Sequence, residues 1–215
     1  MSTVEIANTN DPSETGSQSS KTAEPVGQVI SIKPSEYLKG GGWCTRLLAL
    51  FLLILTFPCI AFLVALVRLT SKGPGVYRQV RVGKDGRIFV MYKLRSMVVD
   101  AEAGTGPVWT QGTNDPRITR IGWLLRKTHL DELPQLVNVV RGEMNLFGPR
   151  PERPELVHVL AERIPQYWDR LAVKPGITGL AQINLPPDSD IESVRRKLTL
   201  DLEYIRTADF SMDLR

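Results

Sequence analysis

From Leu47 to Val67 the chain runs 21 residues without a charge, and Pro58 stands near the middle of the run. As one helix it would reach about 31 Å, close to the hydrocarbon thickness of a bilayer. Proline removes a backbone donor and clashes with the preceding turn, so two short helices meeting at a bend compete with a single kinked span. Each half alone is too short to cross. Lys33, Lys39 and Arg46 precede the run, while Arg68, Lys72, Arg78, Arg81, Lys84 and Arg87 follow it. Basic residues on both sides favour two cytoplasmic ends, and the heavier flank keeps the following domain cytoplasmic.

The apolar run divides the rest of the chain. Residues 1–36 are rich in Ser, Thr, Asn, Gln, Asp and Glu, cannot bury enough surface to offset the entropy of ordering, and are expected to form a disordered tail. They lack the basic patch and adjoining apolar core of a signal peptide. Residues 37–70 make the membrane anchor, with Gly40, Gly41 and Gly42 as a joint ahead of Trp43. The remaining stretch, 71–215, is long enough for one domain of ordinary size. Cys44 and Cys59 have no metal-ligand spacing and form no disulfide framework, which fits a reducing compartment.

Within 71–215, two β-branched and aromatic runs around Asp85-Gly86 predict a β-hairpin that ends near Arg95. Residues 101–116 carry Gly104, Gly106, Pro107, Gly112, Asn114 and Pro116 and predict a loop long enough for a functional role. Helices are expected over 118–127, 130–141, 154–171 and 191–205. Pro134 is tolerable only in the first turn of the second, which places Asp131 and Glu132 at its N-terminal end. The third carries Tyr167, Trp168 and Arg170 and either lies on a membrane surface or packs on the core. Residues 173–183 offer a turn and a short strand. The fold class is therefore α+β, small and mostly helical beyond the hairpin.

Lys and Arg number 27 against 23 Asp and Glu, and the first 45 residues hold three of the former and five of the latter, so the positive excess belongs to the folded part. Anionic lipid or a phosphorylated small molecule accounts for both this charge and the neighbouring apolar run. Aromatic residues make up 7% and show no stacking pattern, which argues against nucleic acid as a partner. Asp131 at a helix N-terminus is a candidate nucleophile, since the helix dipole favours an ionised carboxylate and attracts phosphate. Glu132 takes a separate role, in holding a divalent ion or assisting proton transfer. Taken alone, the pair reads more readily as ordinary helix capping. Its surroundings point further: Arg126 and Lys127 lie upstream, Lys93 and Arg95 end a strand, and Gly148 to Arg153 forms a stiff loop presenting Arg150. Carboxylates among such cations can bind Mg²⁺ together with a diphosphate. His129 and His158 form no metal pattern, and no Gly-rich nucleotide loop is present.

At these residues the chain resembles the bacterial sugar transferase family, the monotopic phosphoglycosyl transferases. The resemblance runs from about residue 43 to the end, through the proline-split run, Arg78-Gln-Val-Arg81-Val-Gly, Tyr92-Lys-Leu-Arg-Ser-Met97, Leu130-Asp-Glu-Leu-Pro-Gln135, Gly142-Glu-Met, Gly148-Pro-Arg-Pro151 and Lys174-Pro-Gly-Ile-Thr-Gly179. It implies a re-entrant helix-break-helix at Pro58, a cytoplasmic catalytic domain with amphipathic interfacial helices, and a place on the bacterial inner membrane. It also implies transfer of a sugar 1-phosphate from a nucleotide sugar, a UDP-sugar, to polyprenyl (undecaprenyl) phosphate through a phosphosugar-aspartate at Asp131. Mg²⁺ would be held by Glu132 with Asp131, and Arg126 and Arg150 match phosphate-handling positions, to which the clustering of cations adds Lys93 and Arg95 as phosphate-binding candidates. The chain departs from the family pattern at Gly41, Gly42 and Thr45, where a Lys-Arg pair and an aspartate are usual, and at Phe57, His129 and Leu185-Pro-Pro-Asp188. The last change bears on sugar recognition.

Overall fold

The computed structural model describes residues 30–40, 42–103 and 115–214. The expected tail therefore lies outside the described residues up to position 29, as does most of the expected loop, 104–114. Eight helices and four strands are resolved among the described residues. A short helix α1, Glu36–Gly40, leads into the long helix α2, Gly42–Thr70.

Helical conformation is continuous through Pro58, so the expected division into two short helices is corrected to one helix of 29 residues with the proline inside it. Proline at 58 deletes only the bond to the Ile54 carbonyl, and the flanking turns keep theirs. The Thr56 hydroxyl donates 2.7 Å to the Leu52 carbonyl rather than serving the carbonyl that Pro58 frees. Only 11% of the most apolar window of α2 is buried, which separates it from the core helix of a soluble domain. Leu47, Phe51, Ile54, Leu55, Phe57 and Phe62 are all exposed. The two flanks pack differently from this middle. Ala49 joins Phe89, Met91, Leu136 and Val139, while Leu63 and Val67 join Leu94 and Leu125.

The hairpin pairs β1, Val76–Val82, with β2, Ile88–Leu94, antiparallel from Val76 opposite Leu94 to Val82 opposite Ile88. Its turn is tight because Asp85 and Gly86 both take positive φ, 55° and 76°. Side-chain alternation then sends Phe89, Met91 and Lys93 to one face, with the first two buried. Helix α3, Arg120–Lys127, is started by the Thr119 hydroxyl, which accepts from Gly122 N.

The helix expected over 130–141 is a 3₁₀ turn, Leu130–Gln135, followed by α4, Leu136–Arg141. Pro134 has no N–H to give the Leu130 carbonyl, so the first α-helical bond is absent and the turn tightens. Strand β3, Asn145–Phe147, which the sequence did not announce, pairs in parallel with β4, Gly176–Thr178. The helix expected over 154–171 is also divided, into α5, Pro154–Arg163, and a 3₁₀ turn, Tyr167–Ala172, on either side of Pro165. Tyr167 is 1% exposed, so this segment packs on the core and is not an interfacial helix. Helices α6, Leu180–Asn184, α7, Ile191–Thr207, and α8, Phe210–Leu214, complete the chain.

Val157 and Leu160 of α5 meet Val194, Leu198, Leu202 and Ile205 of α7 in the largest core cluster. Each such side chain contributes roughly 1.5–3 kcal/mol by leaving water. Ile32 belongs to that cluster. Ser31 donates through N and Oγ to Asp169, at 2.7 and 2.8 Å, and Ser35 N donates 2.9 Å to the Ile205 carbonyl. The segment 30–36, expected as part of the disordered tail, is thus docked: one isoleucine and two serines in a polar stretch find partners that only the fold supplies.

Candidate active site

Three elements converge beside α2. Strand β2 presents Lys93, the 3₁₀ turn presents Asp131 and Glu132, and the loop after β3 presents Arg150. His129 precedes the turn in the left-handed region, φ 56°, and reverses the chain as it leaves α3. Leu130, the first residue of the turn, packs into the cluster of Leu63, Val67 and Leu125, so the acidic pair follows directly from a contact with the apolar helix.

Lys93 Nζ and Arg150 Nη2 both donate 2.8 Å to the same oxygen of Glu132, Oε1. The Glu132 side chain is 13% exposed and that of Arg150 42% exposed. Burial alone would raise the Glu132 pKa, but Arg150 and Lys93 more than offset it and bring it down to about 2. Its other oxygen, Oε2, accepts no hydrogen bond among the described residues. Lys93 moves the opposite way: burial, with Arg150 as a like charge, pushes its pKa down to about 8 despite Glu132 and Asp131.

Asp131 is 7% exposed, and neither of its oxygens accepts a hydrogen bond from a described residue. Burial pushes its pKa up, Lys93 pulls it down, and Glu132 pushes it up again, with Arg126 and Arg150 as further cations in range. The expectation that a helix N-terminus favours the ionised acid is corrected in two respects. Asp131 sits on a 3₁₀ turn ahead of the α-helix, and the net effect of its surroundings raises its pKa.

Arg126 Nε donates 2.8 Å to Ser96 Oγ, which orients the guanidinium towards this centre. Arg95, expected among the phosphate-handling residues, is elsewhere. It is 5% exposed, and its guanidinium is spent on the carbonyls of Lys72 and Ser71 and on Ser71 Oγ, just beyond the C-terminal end of α2. Arg95 shares the parity of Lys93 but lies past the last ladder pair of the hairpin, where the chain meets the end of α2, so the pleat no longer fixes its direction. Arg95 serves the end of α2.

Two supporting residues escaped the sequence reading. Ser96, adjacent to Arg95 in the Tyr92 to Met97 motif, is the Arg126 partner. Asn138 is fully buried and ties β2 to α4, accepting from Tyr92 N at 3.2 Å and donating to the Val90 carbonyl at 2.7 Å. No composition or spacing signal marked Asn138. Its position on the inward face of α4 is the only hint available.

Among the described residues no group of three or more His, Cys, Asp or Glu is gathered that could hold a metal. The donors at this centre are the two adjacent carboxylates, a set that suits a cation completing its shell with water and phosphate oxygens.

The bacterial sugar transferase family model matches residues 43–215. A Bacillus subtilis protein provisionally named an undecaprenyl-phosphate N-acetylgalactosaminyl 1-phosphate transferase is 50% identical over 123 residues, 57% of this chain and 68% of its own length. The Escherichia coli K12 UDP-glucose:undecaprenyl-phosphate glucose-1-phosphate transferase is 41% identical over 171 residues, 78% of this chain and 36% of the relative. The exopolysaccharide production protein PSS of Rhizobium leguminosarum is 39% identical over 168 residues, 76% of this chain and 84% of the relative. The chain thus spans about a third of the Escherichia coli relative and most of the Rhizobium one. With a match that covers the apolar helix, the hairpin and every residue of the acidic and basic centre, the chain belongs to the bacterial sugar transferase family.

Proposed function

We propose that this protein transfers a sugar 1-phosphate from a UDP-sugar to polyprenyl phosphate, undecaprenyl phosphate in bacteria, and so begins assembly of a lipid-linked glycan such as an exopolysaccharide. The reading is carried by one observation. Asp131 has oxygens that accept no hydrogen bond among the described residues, lies in the field of Lys93, Arg126 and Arg150, and follows a residue packed on the apolar helix. An acid built only for structure would use its lone pairs on neighbouring donors.

In the first step an Asp131 carboxylate oxygen attacks the sugar-linked phosphorus, the bond to the bridging oxygen breaks, and UMP leaves with the electron pair. Arg150 and Lys93, already gathered on Glu132, and Arg126, within range of Asp131, stabilise charge on the transferring group. In the second step a polyprenyl phosphate oxygen attacks the same phosphorus, the acyl phosphate bond to Asp131 breaks, and polyprenyl diphosphate-sugar departs with the carboxylate regenerated. Glu132, with Asp131, would hold Mg²⁺, which would supply neutralisation of the charge on the phosphates.

Membrane placement follows from α2. Its exposed middle, from Ile54 to Phe62, enters the hydrocarbon, while Ala49 on one flank and Val67 on the other pack against the same catalytic domain. Both flanks resting on one domain support the reading of this helix as re-entrant, a path that requires it to bend at Pro58, where the ring disfavours a straight helix. The cations from Arg68 to Arg87 favour the cytoplasmic face of the bacterial inner membrane, where UDP-sugars are. Purified protein incubated with UDP-sugars, undecaprenyl phosphate and Mg²⁺ should release UMP and form a lipid-linked sugar. Absence of UMP across a panel of UDP-sugars would defeat the reading.

A further inference from the structure

Arg150 meets Glu132 through its side chain, but its main chain is held from behind. Arg170 Nη2 donates 3.0 Å to the Arg150 carbonyl and 2.8 Å to Asp201 Oδ2, while Arg170 Nη1 donates 2.7 Å to the Tyr167 hydroxyl. The Arg170 side chain is 10% exposed and the Asp201 side chain 4%. The next carbonyl along, that of Pro151, accepts 2.8 Å from Arg81 Nη1, and Arg81 is also paired with Glu152 at 2.9 Å. Two partly buried arginines therefore grip consecutive carbonyls of the loop that delivers Arg150.

A guanidinium has several donors in one plane, so Arg170 can hold an aromatic hydroxyl, a carboxylate and a carbonyl at once, which an ammonium cannot do with the same geometry. We propose that Arg170, oriented by Asp201 on α7 and by Tyr167, is a positioning residue that sets Arg150 against Glu132. Arg170 does not reach Glu132 itself; it acts through the Arg150 backbone. Tyr167 and Arg170, which a surface reading would place at a membrane, form instead the rear support of the catalytic loop. The kinetic consequence rests on the proposed transferase activity, whereas the conformational consequence does not.

Arg170→Ala would leave the Asp201 carboxylate buried without its cation and is expected to unfold the region, so Arg170→Lys, which keeps the charge, is the informative variant. In the full-length, membrane-reconstituted protein, hydrogen exchange over residues 148–153 should quicken by about tenfold or more in Arg170→Lys while α5 stays protected. UMP release should fall roughly 10–100-fold. In an Arg150→Lys background the same change should cost less than about twofold more, because the group it positions is already altered. Unchanged exchange at 148–153, or an equal loss of activity on both backgrounds, overturns the positioning role. If the wild-type protein releases no UMP, the transferase reading fails, and the exchange measurement alone then decides whether Arg170 positions this loop.

Discussion

Asp131 and Glu132 are consecutive in the chain, yet their surroundings drive the two carboxyl groups in opposite directions. Burial raises the Asp131 pKa, and Lys93, Arg126 and Arg150 only partly counter it. For Glu132 the same burial is overcome by Arg150 and Lys93 at hydrogen-bonding distance, and the group titrates at about 2. One acid is a fixed charge that gathers cations. Its neighbour, without hydrogen-bonded partners among the described residues, is left able to react. This division separates the two variants sharply. Asp131→Asn should lose UMP release by at least about 10³-fold, since an amide is no nucleophile here. It should keep its fold, because no hydrogen bond from a described residue is removed. Retained activity in Asp131→Asn, measured by labelled UMP release, would rule out a covalent role. Glu132→Gln should lower stability as well, by about 1–3 kcal/mol, because Lys93 and Arg150 are left facing each other.

The pH response of this centre should have an unusual alkaline side. Lys93 titrates near 8, so its charge fades above that pH and the KM for the UDP-sugar should rise. Stability should follow the opposite sign. The folded-state pKa lies below the ordinary value of 10.5, so the unfolded chain binds more protons between those two values, and the Lys93 contribution to stability grows as pH rises through that window. Lys93→Arg keeps its charge at all these pH values and should remove the alkaline limb. A limb that persists in Lys93→Arg would assign it to another group.

Much of this arrangement was legible in the sequence, and the misplaced side chains share a cause. The hairpin was announced by Asp85-Gly86 between β-branched runs, and α3 and α7 by their periodic apolar faces, because local residue order decides such elements. The acidic pair, Lys93, Arg126 and Arg150 were legible as chemistry, and the structure brings all five to one place. Arg95 was not separable from Lys93 by composition; only the end of the β2 ladder at Leu94 and the position of the α2 terminus send it elsewhere. Tyr167 and Arg170 carried an interfacial signature, and a buried carboxylate on α7, 31 residues further along, draws the arginine inward. Ile32 and Ser31 lacked any local signal, since what orders them is Asp169 and a core formed by α5 and α7. Each of these side chains is placed by a contact distant in sequence, which no window along the chain contains, whereas the 3₁₀ turns at Leu130–Gln135 and Tyr167–Ala172 follow from local prolines.

Arg95 offers a contrast to Arg150. Its guanidinium bonds the Ser71 carbonyl at 2.9 Å and Ser71 Oγ at 2.8 Å, and it also meets the Lys72 carbonyl, so it fastens the end of α2 to the end of β2. Arg95→Met should lower stability by about 2–3 kcal/mol, because carbonyls beside a helix end lose their donor. Folded molecules should release UMP at close to the wild-type rate. Arg150→Met should do the reverse, with a small change in melting temperature and a large loss of turnover. A thermal melt paired with an activity assay on each variant checks the exchange of roles. If Arg95→Met loses turnover without losing stability, Arg95 contacts substrate after all.

Pro58 tests the anchor. Replacing it with Ala returns an N–H to the Ile54 carbonyl and removes the ring clash, which favours a straight helix by about 3 kcal/mol. In a straight helix Arg46 and Val67 lie about 31 Å apart along the axis. The wild-type protein nonetheless packs Ala49 near one end against Val139, and Val67 near the other against Leu94 and Leu125. On the re-entrant reading, straightening works against holding both flanks on the domain, and the amino-terminal flank, where Arg46 lies against Gly142, carries the smaller cluster residue, Ala49. On that reading, Pro58→Ala should move a protease-sensitive tag placed before residue 30 from the side of the membrane that holds the catalytic domain to the opposite side in a fraction of molecules, with activity falling in the same proportion. Tag protection identical in both proteins, read in intact cells against permeabilised ones, would show that packing on the domain, rather than the proline, sets the path of the helix.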